Sequence, residues 1–464
     1  IRVSTSNYFQ DGAGGGGAFA LLHNLDYAMS LASTSKRAHD EPPRGEALLQ
    51  GLEEERLGDW MRAYPYRTNG SPLEVTPNYQ TWFQDWVDNP TYNDYWKQNG
   101  YSFENRYDAY PDIPIYYLGG WYDIFLRGTI NNYAGLSDRH EQSTKLVLGP
   151  WQHNTGPQVV GDVDFGPHAA VDIDAQRLQW FDQVVKGQNA GVDDAPVHLF
   201  VMGGGEGGKT PAGKHLHGGE WISVSDWPVP EATPQPYYLH ADGTLRPERP
   251  SGTAEPTTYT FDPENPVPSI GGKINSGDHL VPPGPWDQRC VEGTFFGCAN
   301  DLPLSARRDV ITFQTPPLEE DVVIAGPITV KLWVSSSAKD TDFTAKLVDV
   351  HPPSAAYPSG YDMLLADRIL RMRHRNSMEE TTLMEEGTVY EIEIDLLGTA
   401  NRFKAGHRIR LDISSSNFPF FDVNPNTGER LGHHTHTVEA VNSIYHDAEH
   451  PSHVTLPLMP VESP

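Results

Sequence analysis

The residues best placed to do chemistry in this chain form one pair. Two apolar stretches, "YYLGGWYDIFLRG" and "KLVLGPWQHNTG", each stop at glycine and tryptophan. Each then presents one titratable side chain: Asp123 after the first and, 30 positions later, His153 after the second. Side chains just past the carboxyl ends of strands line the reactive crevice of an open α/β sheet. There a carboxylate can hold an imidazole in one tautomer and stabilise its protonated form, while the imidazole takes the proton of a hydroxyl nucleophile. A helix-capping aspartate and an unrelated loop histidine would leave the same trace, so the pattern alone leaves the two readings even. No Gly-x-Ser-x-Gly stretch occurs in the 464 residues to supply the hydroxyl.

Other motifs give way to plainer readings. "GGGEGGKT", Gly203 to Thr210, satisfies the phosphate-loop pattern and follows the apolar run "VHLFVM". Phosphate binding needs a helix N-terminus behind the loop. Pro211 and Gly213 follow at once, and Glu206 puts a carboxylate in the cradle, so a mobile hairpin is expected. Gly14 to Gly17 lacks the Lys-Thr pair and reads as a close-packed turn. His433, His434 and His436 in "GHHTHT" have no carboxylate or thiol at a fitting spacing and read as an exposed polar loop. Asp340 and Asp342 in "KDTDF" lack the rest of a calcium loop and read as structural polar groups at a strand end. Cys290 and Cys298 can close a local disulfide or remain two thiols; with no His pair nearby they do not make a zinc site. No metal and no organic cofactor is expected.

The elements that must carry Asp123 and His153 are written in the periodicity. Residues 111–118 and 144–148 are short apolar runs bounded by Gly and Pro, fitting buried parallel strands. "IRVSTSNYF" begins like the end of a strand. From Ala18 to about Lys97, "FALLHNLDYAMSLA", "LLQGLEEERLGDWMRAY" and "YQTWFQDWV" repeat at helical spacing and predict a helical layer. "DAQRLQWFDQVVKG" predicts an amphipathic helix with Leu178, Phe181, Val184 and Val185 on one side and Gly187 as its stop. After Val197 the period becomes two. Tyr390, Ile392, Ile394 and Leu396 alternate with Glu391, Glu393 and Asp395, and Ile409, Leu411 and Ile413 repeat the pattern, which predicts an antiparallel sandwich.

The balance of 34 basic against 62 acidic side chains, a net charge of -28 with only 11 lysines, excludes the clustered cations that nucleic acid or an anionic membrane surface requires. It fits either a salt-rich setting or ordinary solubility. No apolar run approaches the ~18 residues needed to span a bilayer. A soluble protein is expected, with the cytoplasm the favoured compartment.

At Asp123 and His153 the sequence resembles the cocaine-esterase-like (CocE/NonD) family of serine hydrolases, related to the X-Pro dipeptidyl-peptidases and α-amino-acid ester hydrolases. The resemblance runs through "NPTYNDYW", "GGWYDIFLRGT", "LVLGPWQHN", "TYTFDPENPVPSIGG", "VSSSAKDTDFTAKLVDVHP" and "FKAGHRIRLDISSSNFP", essentially from Ile1 to Pro464. It implies α/β plus all-β architecture: the C-terminal part of an α/β-hydrolase core over 1–17 and 109–190, a helical cap over 18–108, and a jelly-roll β-sandwich over 195–464. It implies Asp123 as triad acid, His153 as triad base and Phe125 as an aromatic wall of the acyl pocket. The loop from Gly271 to Arg289 is expected to approach that pocket. The family's serine and oxyanion-hole groups lie upstream of the strand with which this chain opens, and Ser4 and Ser6 have no flanking glycines. The serine is therefore expected on an absent N-terminal segment or a second polypeptide.

The implied reaction is cleavage of a small-molecule ester or amide through an acyl-serine intermediate. Ile124 and Phe125 after the acid are apolar and favour a neutral acyl group over X-Pro dipeptides or α-amino esters, unless Asp162 and Asp164 fold inward. A noncatalytic carbohydrate-binding jelly roll is the alternative from another class, and a homo-oligomer is left open.

Overall fold

The parallel strands form where the apolar runs are unbroken. In the computed structural model, which describes residues 1–51, 53–63, 71–137, 139, 144–188, 195–430 and 432–460, β1 (Ile115–Gly120) pairs in parallel with β2 (Thr144–Gly149) along its whole length. Both strands are buried at nearly every position, as a sheet covered on two faces requires. Val197–Gly203 (β3) continues the parallel ladder beside β2, and Gly219–Val224 (β4) runs antiparallel to β3. On the far side of β1 the first residues lie alongside, with Arg2 bridging Leu118 in parallel and the Val3 amide donating to the Leu118 carbonyl at 2.8 Å.

The described residues include seven α-helices. Five form the layer expected between Ala18 and Lys97: α1 (Leu21–Ser33), α2 (Lys36–Asp40), α3 (Pro42–Gly51), α4 (Glu54–Arg62) and α5 (Pro77–Asp88). The other two, α6 (Leu126–Ser137) and α7 (Ile173–Lys186), flank the parallel strands. Helix α7 has the expected stop, Gly187 at φ +64°, and an Asp172 cap on the Ala175 amide. Its docking differs from the expected stripe. Ile173 and Trp180 are its buried side chains, with Trp180 edge-on to Tyr116 at 5.8 Å, whereas Leu178, Phe181 and Val185 are 61%, 53% and 73% exposed. The apolar period identifies the helix, but the sheet meets it through the large ring about a third of a turn away.

The remaining strands form the antiparallel sandwich. One layer runs in the order β6 (Thr257–Phe261), β15 (Ala440–Tyr445), β9 (Thr329–Ser336), β16 (His453–Leu458), β8 (Val322–Gly326) and β13 (Thr399–Phe403). Here β5 (Thr233–Leu239) and β12 (Tyr390–Asp395) pair at the side. The other layer is β7 (Ile311–Gln314), β14 (Arg408–Ser414), β10 (Asp342–His351) and β11 (Tyr361–Arg371). β12 shows the expected alternation, with Ile392 and Ile394 inside and the acidic side chains outside. β14 does not: Arg410 and Asp412 are buried as an ion pair at 2.7 Å. Asp362 also pairs with Arg410 at 2.6 Å, and a loop lies beside it, in which Gln288 accepts from Lys346 at 3.1 Å and the Gln288 amide donates to the Asp362 carbonyl at 2.9 Å. Cys290 and Cys298 close a disulfide in that loop.

A junction invisible in the sequence joins the two halves. β13 pairs in parallel with β3 at Asn401 with Met202 and Arg402 with Gly203, so the parallel strands and one sandwich layer are a single sheet of 13 strands. β3 begins at Val197, where the sequence pattern changes, yet it extends the parallel ladder. Among the described residues no helix is long and apolar enough to cross a membrane.

Candidate active site

Glycine at the two strand ends lets the two turns approach each other. A Cβ on Gly120 would lie 2.1 Å from the Trp151 carbonyl oxygen, and one on Gly149 would lie 2.4 Å from the Trp151 ring. The turns are then tied directly: the Trp121 amide donates to the Gly149 carbonyl at 2.9 Å and the Tyr122 amide to the Trp151 carbonyl at 3.0 Å. Both tryptophans are anchors. Trp121 Nε1 donates to the Phe200 carbonyl at 2.8 Å and Trp151 Nε1 to the Ala169 carbonyl at 3.1 Å, which fixes each turn against its neighbours.

Asp123 sits in the turn from β1 into α6 and is fully buried, while the His153 side chain keeps 33% of its surface exposed. Asp123 Oδ1 and His153 Nδ1 lie 3.0 Å apart. With Nδ1 engaged by the carboxylate, Nε2 is the nitrogen left to exchange a proton. The structure thus brings together the two side chains that the spacing singled out, at the carboxyl ends of adjacent parallel strands.

Aromatic rings wall the site. Phe125 stands edge-on to His153 at 5.5 Å and tilts against Tyr8 at 6.2 Å, and Tyr8 in turn meets Trp86 at 5.3 Å. The loop from Gly271 to Arg289 reaches this region as expected. The Gly277 amide donates to Asp26 on α1 at 2.9 Å, and Gln152, next to His153, donates to the Pro283 carbonyl at 3.0 Å. Sequence reading missed His23. It is buried on α1, with neither ring nitrogen hydrogen-bonded among the described residues. Burial pushes it down to about 3, with the nearby His153 adding to the effect. Its trace in the sequence is one histidine on the apolar face of "FALLHNLDYAMSLA", a position that ordinarily reads as core.

The remaining candidates are occupied elsewhere. Ser6 Oγ donates to Asp11 and Glu104, and Ser4 Oγ accepts from Asn132. Arg127 engages Asp11 at 3.0 Å and Glu104 at 3.4 Å. Asp162 accepts from Tyr361 and Lys214, and Asp164 from Gln158 and the Gly166 amide. The glycine-rich run from Gly203 is a hairpin, closed by the Gly205 amide on the His217 carbonyl at 2.7 Å. Gly14 to Gly17 form a tight turn, where a Cβ on Gly16, at φ +54°, would lie 2.0 Å from the Ile369 carbonyl oxygen. Asp340 and Asp342 are structural, paired with Arg373 at 2.7 Å and Arg371 at 2.8 Å. The loop of His433, His434 and His436 departs from expectation in one residue. His434 is buried, while His433 meets Asp88 at 2.8 Å and His436 lies near Glu429 at 3.6 Å.

The chain resembles known proteins in sequence and in fold. Residues 189–455 match the X-Pro dipeptidyl-peptidase C-terminal non-catalytic domain, and residues 1–155 match the X-Pro dipeptidyl-peptidase (S15 family). The chain is 36% identical over 362 residues to a cocaine esterase of Rhodococcus sp. (strain MB1 Bresler), covering 75% of this chain and 56% of that protein. Its fold resembles an aminopeptidase from a Thaumarchaeota archaeon, with TM-score 0.78 and 22% identity over 99% of this chain and 72% of the other. It also resembles an α-amino acid ester hydrolase, with TM-score 0.76 and 25% identity over 98% and 72%. The chain spans little more than half the length of the curated relative named here. With its matches over residues 1–155 and 189–455 and its 36% identity to a cocaine esterase, the chain belongs to the X-Pro dipeptidyl-peptidase and cocaine-esterase-like (CocE/NonD) family of hydrolases.

Proposed function

We propose that Asp123 and His153 are the acid and base of a serine hydrolase that cleaves an ester or amide of a small acyl substrate. The observation that carries this reading is the 3.0 Å contact between a buried carboxylate and a partly exposed imidazole at adjacent strand ends. In the reaction, His153 Nε2 takes the serine proton as the serine oxygen attacks the carbonyl carbon. The proton passes to the leaving group as its bond to carbon breaks, and water then releases the acyl group by the same route. Asp123 holds the imidazole tautomer and stabilises its positive charge. On this reading the serine comes from outside these 464 residues, on a preceding segment or a second polypeptide, and reaches the site beside the edge held by Ile1 to Val3.

Residues 1–17 and 109–190 would then serve as the catalytic core, 18–108 as its cap and 195–464 as the jelly roll, with β3 also lending itself to the core sheet. Residues 52, 64–70, 138, 140–143, 189, 190, 431 and 461–464 of these spans lie outside the described residues. Phe125 forms one wall of the acyl pocket. A neutral acyl group is favoured, because Ile124 and Phe125 are apolar and Asp11 and Glu104 already engage Arg127. A substrate ammonium needs a carboxylate free to pair with it.

The test is fluorophosphonate treatment of the complete protein, with every polypeptide that accompanies it, followed by intact mass measurement. One serine-bearing polypeptide carrying the probe is expected, with labelling abolished in His153→Ala. Absence of any labelled polypeptide would leave the carbohydrate-binding alternative in its place.

A further inference from the structure

We infer that His215, His217 and His351, with Asp349 and His407 behind them, form a binding site for a divalent transition metal, of the kind zinc occupies. The site stands apart from the pair of Asp123 and His153. The chain delivers these side chains in twos: "HLH" at 215–217 and "DVH" at 349–351 are i, i+2 pairs, which an extended chain turns to one face. The first pair lies on the returning arm of the glycine-rich hairpin, the second at the end of β10, and His407 immediately precedes β14. The ligand atoms of His215, His217 and His351 lie within 4.8 Å of one another, as do those of Asp349, His351 and His407. All five residues are buried. The rings crowd together, with His215 and His351 centred 4.6 Å apart and His351 and His407 4.1 Å apart.

The hydrogen bonds leave lone pairs without hydrogens. Asn401 Nδ2 donates to Asp349 Oδ2 at 3.3 Å, which turns the Asn401 carbonyl oxygen toward His217; His217 Nε2 then donates to it at 2.9 Å. His407 Nδ1 donates to Asp349 Oδ1 at 2.8 Å. In neutral imidazoles those two bonds leave His217 Nδ1 and His407 Nε2 as bare acceptors. Neither nitrogen of His215 nor Nε2 of His351 has a hydrogen-bond partner among the described residues, and Asp349 Oδ2 lies 3.6 Å from His351 Nε2.

Buried, unpartnered nitrogens are costly unless something accepts their lone pairs. Three imidazoles within reach of one another suit zinc in donor type, and a carboxylate bond on a flanking imidazole, as Asp349 makes to His407, is the usual support of such a site.

The position gives the metal a task. Residues 215 and 216 pair in parallel with 163 and 164, on the segment that follows His153, and the His217 amide donates to the Asp164 carbonyl at 3.1 Å. A metal here would clasp that segment to the sandwich. The experiment is plasma-emission analysis of the untagged complete protein, before and after chelation, with thermal unfolding of both forms. One zinc per chain is expected, with a lowered midpoint after chelation that zinc restores. His351→Gln should lose the metal and His436→Gln, at an exposed position, should keep it. Should His351→Gln fail to fold, cobalt loading of the unsubstituted protein reads the same site through the visible absorption of tetrahedral cobalt. A protein that holds no transition metal and whose midpoint is unmoved by added zinc would overturn the proposal, leaving a stack of neutral imidazoles joined by water.

Discussion

His153 and His215 make the most instructive contrast in this molecule. His153 keeps a third of its side chain exposed and has one partner, a buried carboxylate at 3.0 Å. His215 is wholly buried, stacked on Tyr361 at 4.2 Å, and neither of its nitrogens has a partner among the described residues. An imidazole that must carry protons needs water or substrate on one nitrogen and a fixed anchor on the other. An imidazole with no access to solvent and no proton partner cannot cycle its charge, so its lone pair is available only to a ligand held in place. Exposure and partnering therefore separate the two sites more sharply than residue type.

The largest expected effect is on activity of the complete protein. His153→Ala should lower kcat about 10⁶-fold, the scale on which a triad base acts. Asp123→Asn should lower it about 10⁴-fold by stabilising the wrong tautomer. Steady-state kinetics on the preferred ester checks both, and an effect under tenfold for either would erase the contrast with His215.

Acid should destabilise the fold through other buried histidines. Burial lowers His23 to about 3, with His153 adding to the effect, and lowers His374 to about 4, with Arg371 adding to it. Unfolding frees each to bind a proton below about 6.5. Between that pH and the lowered value the unfolded chain binds more protons, so stability falls as pH falls. The loss is up to about 1.4 kcal/mol per pH unit for each histidine. Thermal midpoints measured from pH 7.5 to 5 should decline, and His23→Asn should flatten the slope.

Replacing Cys290 and Cys298 by serine should cost about 2–3 kcal/mol, the loop-closure value for so short a loop, and should leave kcat nearly unchanged. Denaturant midpoints with paired rate measurements separate the two. Phe125→Ala should lower kcat/KM about 10- to 200-fold for bulky neutral acyl groups. A matching loss for the smallest acyl group would mean that Phe125 acts on His153 itself, across their 5.5 Å contact.

What could be read in advance follows from how local each signal is. Asp123 and His153 were legible because the strand, its glycine stop and the polar residue beyond it lie within a dozen positions. The alternation of β12 was legible for the same reason. The contact of β3 with β13 joins Met202 to Asn401 and leaves no local period to find. Arg410 pairs with Asp362, which the Gln288 amide holds from a loop more than 100 positions before Arg410. Helix α7 shows the limit of periodicity, since Trp180 docks while the more regular stripe of Leu178, Phe181 and Val185 faces outward. The imidazole cluster had a signal that was passed over: two i, i+2 pairs, "HLH" and "DVH", on strands whose meeting no spacing announces.

The central claim is that His153, held by Asp123, activates a serine. The most direct measurement is the pseudo-first-order rate of fluorophosphonate addition to the complete protein, followed by intact mass, for the unsubstituted form and for His153→Ala of unchanged thermal midpoint. Labelling of one serine that falls by at least a hundredfold in the variant is the predicted result. Labelling at an equal rate in both would contradict the account.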